Sequence, residues 1–408
     1  MRSFVFLFLC ILLVQCSSNS TPEQTDHIQI LDEIPEHILE VENLTIFPGD
    51  SETRYIIELT PEQTFGEEGE PYLTNVMGAA VDDKQRVIIL NANTNYEHSL
   101  YVYNTDGTYH TQIGGRGRGP GEYGFVFDIF EAKAGKVFIR DITNERINIY
   151  STEGYNFDRS MRIENLAVRN HIAVKGMRLG LTFARNDGNH LVHFYDRELN
   201  IGFSMDKYLF MDANGNALVS DPLIFPSSVS IKVPSKQRIP SLGLTFMGQT
   251  LIAMTSEDAL YSVWTTDFLL KRYDATGEYE SAIYYPIRGV PFNLNEYAQT
   301  EPFGYNQQDI EEGVANVGIE LPESNPVLSG LLVDDENRIW AAVPMDQKRQ
   351  MFEWWILNET GELLAKLQRS SNLKIFDIKN GYLYTKEIDE ETDAEYVVKY
   401  RIEFREAE

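Results

Sequence analysis

Along most of this chain apolar and polar residues alternate with a period of two, in short runs separated by turns. The turns repeat. One phrase, a bulky residue, two or three polar residues and a glycine, occurs as Tyr103-Asn104-Thr105-Asp106-Gly107, Tyr150-Ser151-Thr152-Glu153-Gly154, Tyr273-Asp274-Ala275-Thr276-Gly277 and Leu357-Asn358-Glu359-Thr360-Gly361. Each predicts a hairpin. A second phrase, Val81-Asp82-Asp83-Lys84-Gln85-Arg86-Val87, returns in register as Val333-Asp334-Asp335-Glu336-Asn337-Arg338-Ile339, and both predict an Asp-rich hairpin opening a sheet. Strand-and-turn units recurring at about 40 to 50 residues are the mark of a β-propeller.

The units number six, so the predicted fold is all-β: a six-bladed β-propeller over residues 49–408 with an N-terminal closing strand. Blades run from Val76 to Ile113, Phe125 to Ile163, about His171 to Met205, Leu242 to Ile287, Leu328 to Gln368 and Ile375 to Phe404. Arg54-Tyr55-Ile56-Ile57-Glu58-Leu59 is the strand expected to close the ring on the sixth blade, because an open ring would leave a sheet edge unpaired. Upstream, the apolar residues Ile34, Ile38, Val41 and Leu44 have helical spacing, and Pro35 suits a first helical turn. Two segments exceed what four-stranded blades require. Asp206 to Ser241 carries Pro222, Pro226, Pro234 and Pro240 and is expected to be a loop. Arg288 to Val327 is rich in aromatics and contains a helical stretch from Gln307 to Val317.

Residues 1–15 have the form of an export signal: Arg2 gives a positive start, and Phe4 to Val14 is apolar but too short to span a bilayer. Leu12-Leu13-Val14-Gln15-Cys16 resembles a bacterial lipobox in which Cys16 is acylated, although Gln15 replaces the usual small residue. Residues 16–48 would then be the tether and a short packing segment; a simple secretory peptide is the alternative. Cys10 and Cys16 are the two cysteines, so the folded part has no disulfide and no thiol chemistry. Removing Arg2 with the signal takes the formal charge from −27 to −28. That field repels polyanions, so neither nucleic acid nor an anionic lipid surface is an expected partner. Acidic runs such as Glu67-Glu68-Gly69-Glu70 and Asp389-Glu390-Glu391-Thr392-Asp393 offer oxygen ligands that suit calcium, but solvated turn charge explains them, and no cofactor is expected.

The second blade and its lead-in, Ile113-Gly114-Gly115-Arg116-Gly117-Arg118-Gly119-Pro120-Gly121-Glu122-Tyr123 followed by Asp128, Gly135, Val137, Asp141, Asn144, Arg146 and Ile147, resemble the NHL-like or TolB-like bacterial six-bladed β-propellers. The whole chain is similar to the exported lipoprotein branch of that group, common in Bacteroidetes. The resemblance implies a scaffold and an envelope location, outer membrane included, but no defined activity.

Candidate chemistry is sparse. Gly119-Pro120-Gly121-Glu122-Tyr123-Gly124 fits the dinucleotide fingerprint, yet a strand follows it, Pro120 lacks the N–H a phosphate needs, and Glu122 would repel the phosphate. The loop reads as a structural handover between blades, from which Arg116 and Arg118 project as anion donors at the channel mouth. Arg146 is expected to reach a carboxylate of a neighbouring strand. His190 and His193, three apart on a strand, point to opposite faces and cannot form one metal site. Asp212-Ala213-Asn214-Gly215-Asn216 reads as a hairpin turn, not a calcium loop. The paired acids Asp82-Asp83 and Asp334-Asp335 occupy repeated turn positions, which explains them better than catalysis does. No Gly-x-Ser-x-Gly, His-Glu-x-x-His or phosphate loop occurs, and no catalytic residue or metal ligand is assigned. The reading is a monomeric, non-catalytic module for a protein, peptide or carbohydrate ligand, with Tyr297 and Tyr305 of the second long segment as stacking residues. The alternative is a hydrolase or lyase of lactonase or glycan-acting type, with a metal held by carboxylates from several blades at the central channel.

Overall fold

In the computed structural model the chain closes into a ring of six antiparallel sheets. The structure describes residues 29–407 except 68, 70, 129–131, 197–201, 219–220, 233–240, 301–304 and 390. The expected export signal, Cys16 and the expected tether through residue 28 lie outside the described residues, as do Pro234 and Pro240.

Each blade is a meander. The first comprises Val76–Val81, Val87–Ala92, His98–Tyr103 and Tyr109–Ile113, and the second Val126–Asp128, Lys136–Asp141, Arg146–Ser151 and Phe157–Arg162, with Ala132–Lys133 as an extra piece. The fifth, Gly330–Val333, Ile339–Pro344, Met351–Leu357 and Leu363–Ser370, follows the sequence-based boundaries, whereas the fourth, Thr250–Met254, Leu260–Trp264, Phe268–Tyr273 and Tyr279–Tyr285, starts later than the expected Leu242, because Ser241–Leu244 pairs with Val229–Lys232 in a separate hairpin. Each repeated Gly-containing phrase is a third-to-fourth turn; in two of them Asp274 Oδ1 accepts from the N–H groups of Thr276 and Glu278, and Asn358 Oδ1 from those of Thr360 and Glu362.

The third blade departs from the expected limits. Its strands are Arg178–Ala184, His190–Tyr195, Met205–Met211 and Leu223–Pro226, so half of it lies in the segment expected to be a proline-rich loop. Pro226 is tolerated because it ends the outermost strand, where a missing N–H interrupts no inner ladder. Asp212 to Asn216 is the third-to-fourth turn of that blade: Asp212 N–H donates to Asn216 O, and Asp212 Oδ1 accepts from Asn214 and Asn216.

Closure is supplied from the N-terminus. Tyr55–Phe65, longer than the expected closing strand, pairs along Glu395–Glu406 and completes the sixth blade with Ile375–Lys379 and Tyr382–Ile388. Upstream, the helix expected over Ile34 to Leu44 shrinks to one turn, α1 (Glu36–Leu39), preceded by Pro35 as its N-cap. Leu44–Ile46 instead adds a parallel fifth strand to the outer edge of the fourth blade, and Phe47 then stacks on Tyr285 at 5.3 Å. Covering an otherwise bare edge outweighs the helical spacing.

Six apolar cores, one per seam, hold the ring. Alternate residues of a single strand serve two seams: Val87 and Ile89 pack toward the sixth blade, Ile88 and Leu90 toward the second. In the fifth blade Ile339, Ala341 and Val343 face the fourth, while Trp340 and Ala342 face the sixth. Both faces are buried, which is why these strands are apolar without interruption.

The Asp-rich hairpins lock neighbouring blades. Asp82, 0 % exposed, accepts from Arg86 Nε at 2.9 Å and Nη2 at 2.7 Å and from the Tyr155 hydroxyl of the second blade at 2.7 Å. Asp334 likewise binds Arg338 Nε at 2.7 Å and Trp340 Nε1 at 2.9 Å. The second acid of each pair crosses the seam: Asp83 accepts from Gly135 N–H, Asp335 from Asn380 N–H. The paired carboxylates are structural, as their repetition implies.

Candidate ligand-binding cleft

The glycine-rich loop joins the first blade's last strand to the second blade's first, and its shape is fixed from below by one strand. Arg146, Asn148 and Tyr150 alternate along Arg146–Ser151 and therefore point the same way. The Arg146 guanidinium donates to the carbonyls of Arg118 (3.3 Å), Gly119 (3.0 Å) and Glu122 (2.7 Å). Asn148 donates to Glu122 O at 2.8 Å, and the Tyr150 hydroxyl to Gly121 O at 2.9 Å. As expected, Arg146 also meets a carboxylate of the neighbouring strand, the fully buried Asp141, at 3.4 Å. Asp141 further accepts from the N–H groups of Gly124 and Asn144 and from the Asn144 amide.

Within the loop, Gly115–Arg116 and Glu122–Tyr123 pair as two short parallel strands, and the Glu122 carboxylate accepts from Gly119 N–H at 2.7 Å. Glu122 is thus an internal brace, the opposite of a phosphate cradle. Gly121 is required: its φ is +71°, and a Cβ there would lie 2.9 Å from Phe157 Cβ. Tyr123 is 0 % exposed and donates to Ile113 O, its hydroxyl pKa pushed up to about 12 by burial.

Between this loop and the second-to-third turns of the first two blades lies a cleft of ≈ 300 Å³, bordered by Tyr96, Glu97, Arg116, Arg118, Phe125 and Asn144. The structure brings both predicted arginines to it, with different roles. Arg116 forms an ion pair with Glu97, so its charge is already matched. Arg118 is exposed and forms no ion pair with any described residue. Tyr96 was not foreseen. The turn that presents it is pinned by Asn93, whose Oδ1 accepts from Asn95 and Glu97, and Tyr96 sits at φ +58° with 78 % of its surface exposed. A bulky residue held in the left-handed region points to function, and Asn93-Thr94-Asn95 was the one sequence signal for that turn. Phe125 forms the wall, its ring centroid 4.3 Å from that of His98, whose Nδ1 accepts from Val126 N–H. Burial lowers the His98 pKa, which favours the neutral acceptor form.

The remaining predicted ligand residues are elsewhere. The two long segments meet in a small domain of their own: the hairpin Val229–Lys232 with Ser241–Leu244 packs on α2 (Leu294–Thr300) and α3 (Gln307–Val317). Asn306 and Asp309 form a capping box at the start of α3. Tyr305 is 1 % exposed inside this core, which corrects its expected role as a stacking residue. Tyr297 packs at the core's margin, its ring edge-on to Phe246 at 4.6 Å.

The histidines do not converge. His193 Nε2 lies 3.0 Å from Asp206 and its ring stacks on Tyr208, whereas His190 is buried against Phe138. Among the described residues no three His, Cys, Asp or Glu side chains are grouped so as to hold a metal ion. No helix among them is long and apolar enough to cross a membrane.

Residues 73–221 match the model of a family, DUF5128, described as a six-bladed β-propeller. The chain is similar in structure to a protein assigned as exported from Bacteroides fragilis, with 14% identity over 88% of this chain and 99% of that one and a TM-score of 0.52. It is equally similar to a member of the DUF4221 family from Bacteroides vulgatus, with 12% identity over 87% and 100% of the two chains and a TM-score of 0.53. No curated protein matches the sequence. The ring and these likenesses agree that the chain is a six-bladed β-propeller, alike in fold over nearly its whole length to proteins of Bacteroides.

Proposed function

We propose that the chain is an exported, lipid-anchored envelope protein that binds a peptide or carbohydrate ligand without transforming it, at the cleft between the first two blades. The observation that carries this reading is the Arg118 guanidinium, without an ion-pair partner among the described residues, beside an exposed tyrosine on a loop that buried polar groups hold in place. A rigid aromatic face with one directed cation suits a ligand that has a flat apolar side and a single acidic or strongly polar group. The strongly negative chain disfavours polyanionic ligands. Export is supported by the apolar leader and by the likeness to an exported protein; the anchor rests on Cys16 in its lipobox-like setting.

One expression experiment tests both parts. The Cys16→Ser protein should leave the membrane fraction, and Arg118→Ala/Tyr96→Ala should lose at least about tenfold in affinity on arrays of envelope glycans and peptides. Both side chains are exposed, so the thermal midpoint should not move. Wild-type binding by the double variant would sink the cleft assignment, and unchanged membrane association of the serine variant would sink the anchor.

A further inference from the structure

A second arginine presents a sharper chemical problem than Arg118. The second-to-third turn of the fifth blade, Met345 to Gln350, is closed by Met345 N–H to Met351 O and Arg349 N–H to Asp346 O. Its one carboxylate is already used: the oxygens of Asp346 accept from the N–H groups of Gln350 and Met351. Arg349 therefore has no acid from its own turn, and it forms no ion pair with any other described residue. Its Nη2 is nevertheless buried and without a hydrogen-bond partner among the described residues. So is Oε1 of Gln347, two residues away. The backbone of Arg349 is held at φ +54°, a conformation that costs energy in any residue with a Cβ.

A charged nitrogen and an amide oxygen held away from water without partners are each destabilising. Burial shows in the Arg349 group itself, whose pKa is lowered by desolvation and raised in part by the phenol of Tyr297. Tyr297 belongs to α2 of the small inserted domain, and it packs there with Phe246 and Phe292. An unpaired cation and an amide that can either accept or, turned over, donate thus lie two residues apart on this turn, and the Tyr297 phenol of the insert is near enough to act on the cation's charge.

We propose that Arg349 and Gln347, with Tyr297 beside them, form a binding site for a small monocarboxylate, independent of the cleft between the first two blades. One guanidinium matches the single charge and planar fork of a carboxylate. A phosphate would bring a second negative charge that this site does not balance. The carboxylate could belong to a sugar acid or to a peptide C-terminus, which share the same recognition chemistry.

The test uses the mature protein with D-galacturonate and N-acetyl-L-alanine as probes and D-galactose as a neutral control, read by calorimetry and by thermal midpoint. Wild type should bind at least one acid and raise its midpoint, with no response to galactose; the acid that binds identifies the source. Arg349→Met should raise the midpoint of the unliganded protein, because an uncompensated buried charge is gone, and weaken acid binding about tenfold or more. Gln347→Leu provides a second variant with reduced affinity should Arg349→Met fail to fold. Arg118→Ala should bind the acids as wild type does, which separates this site from the cleft. Absence of any response of wild type to both acids, or an Arg349→Met protein that binds them with unchanged affinity or is less stable than wild type, overturns the proposal.

Discussion

Replacing Arg146 by Met removes the guanidinium while keeping most of the apolar stem, and so isolates the polar support of the loop from its packing. Three carbonyls of the loop lose a charged donor, and Asp141, 0 % exposed, loses its cation. Breaking a buried pair from one side costs about 3–5 kcal/mol, since a charge is left in a poorly solvating site. Asp141 keeps its hydrogen bonds from Gly124 N–H, Asn144 N–H and the Asn144 amide, so the lower end of that range applies, about 3 kcal/mol. Against a total stability of roughly 5–15 kcal/mol this is a large fraction. Urea unfolding at neutral pH measures it as a fall in midpoint at unchanged slope. The Arg146→Met/Asp141→Leu double variant should recover part of the loss, because removing both charges abolishes the uncompensated one. A loss below about 1 kcal/mol for Arg146→Met, or a double variant at least as unstable as the sum of the singles, would refute the idea that this pair organises the loop.

The buried His190 should make stability depend on pH. Its pKa is lowered from 6.5 to about 4, chiefly by burial, so the fold holds it neutral while the unfolded chain takes up a proton. Its contribution is complete above about pH 6.5 and is lost between there and about pH 4, by roughly 3 kcal/mol at one proton per pH unit. His190→Leu should flatten that fall relative to wild type in unfolding measured at pH 7 and pH 5; parallel pH dependences would show that His190 is not the group responsible. Deleting residues 29–65 removes both the strand that caps the fourth blade and the one that completes the sixth, and the product should aggregate through the bared edge of Glu395–Glu406. A soluble deletion protein that unfolds in one cooperative step would mean the ring closes without it.

What the sequence made legible was set by local rules. Period-two runs recur in every blade because every seam must solve the same packing problem; with the glycine turns of four blades and the paired aspartates of two, they made the blade count and the structural role of the acids legible. The third blade departs from its expected limits because its last strand ends at Pro226, in a stretch whose prolines read as loop, although its third-to-fourth turn, Met211-Asp212-Ala213-Asn214-Gly215, repeats the phrase of the other blades. The N-terminal segment misled in the other direction: Ile38 is buried on one helical turn, but the edge of the fourth blade recruits Leu44–Ile46 as strand, a tertiary effect no local spacing records. Aromatics gave the least reliable guide to binding. Tyr305 serves the core of an inserted domain that must bury its own helices, while Tyr96 stands exposed on a short turn that carries one tyrosine among polar residues.

The second blade shows why the loop is the place to look for function on its face of the ring. In the fifth blade the third strand, Met351–Leu357, turns Trp355 and Leu357 toward the seam with the fourth, and both are buried in that apolar core. The second blade's third strand turns Arg146, Asn148 and Tyr150 toward its preceding seam instead, and all three are used on the loop's carbonyls. Apolar side chains there would pack at least as well and would avoid the desolvation of a buried ion pair, so stability alone does not favour the polar set. What the polar set adds is a single loop conformation, with the carbonyls of Arg118, Gly119, Gly121 and Glu122 each fixed by a directed donor. A loop that only joined two blades would need no such definition. One that must hold Arg118 beside Tyr96 in a fixed geometry would, because a binding group left mobile gives up affinity to the entropy of ordering it.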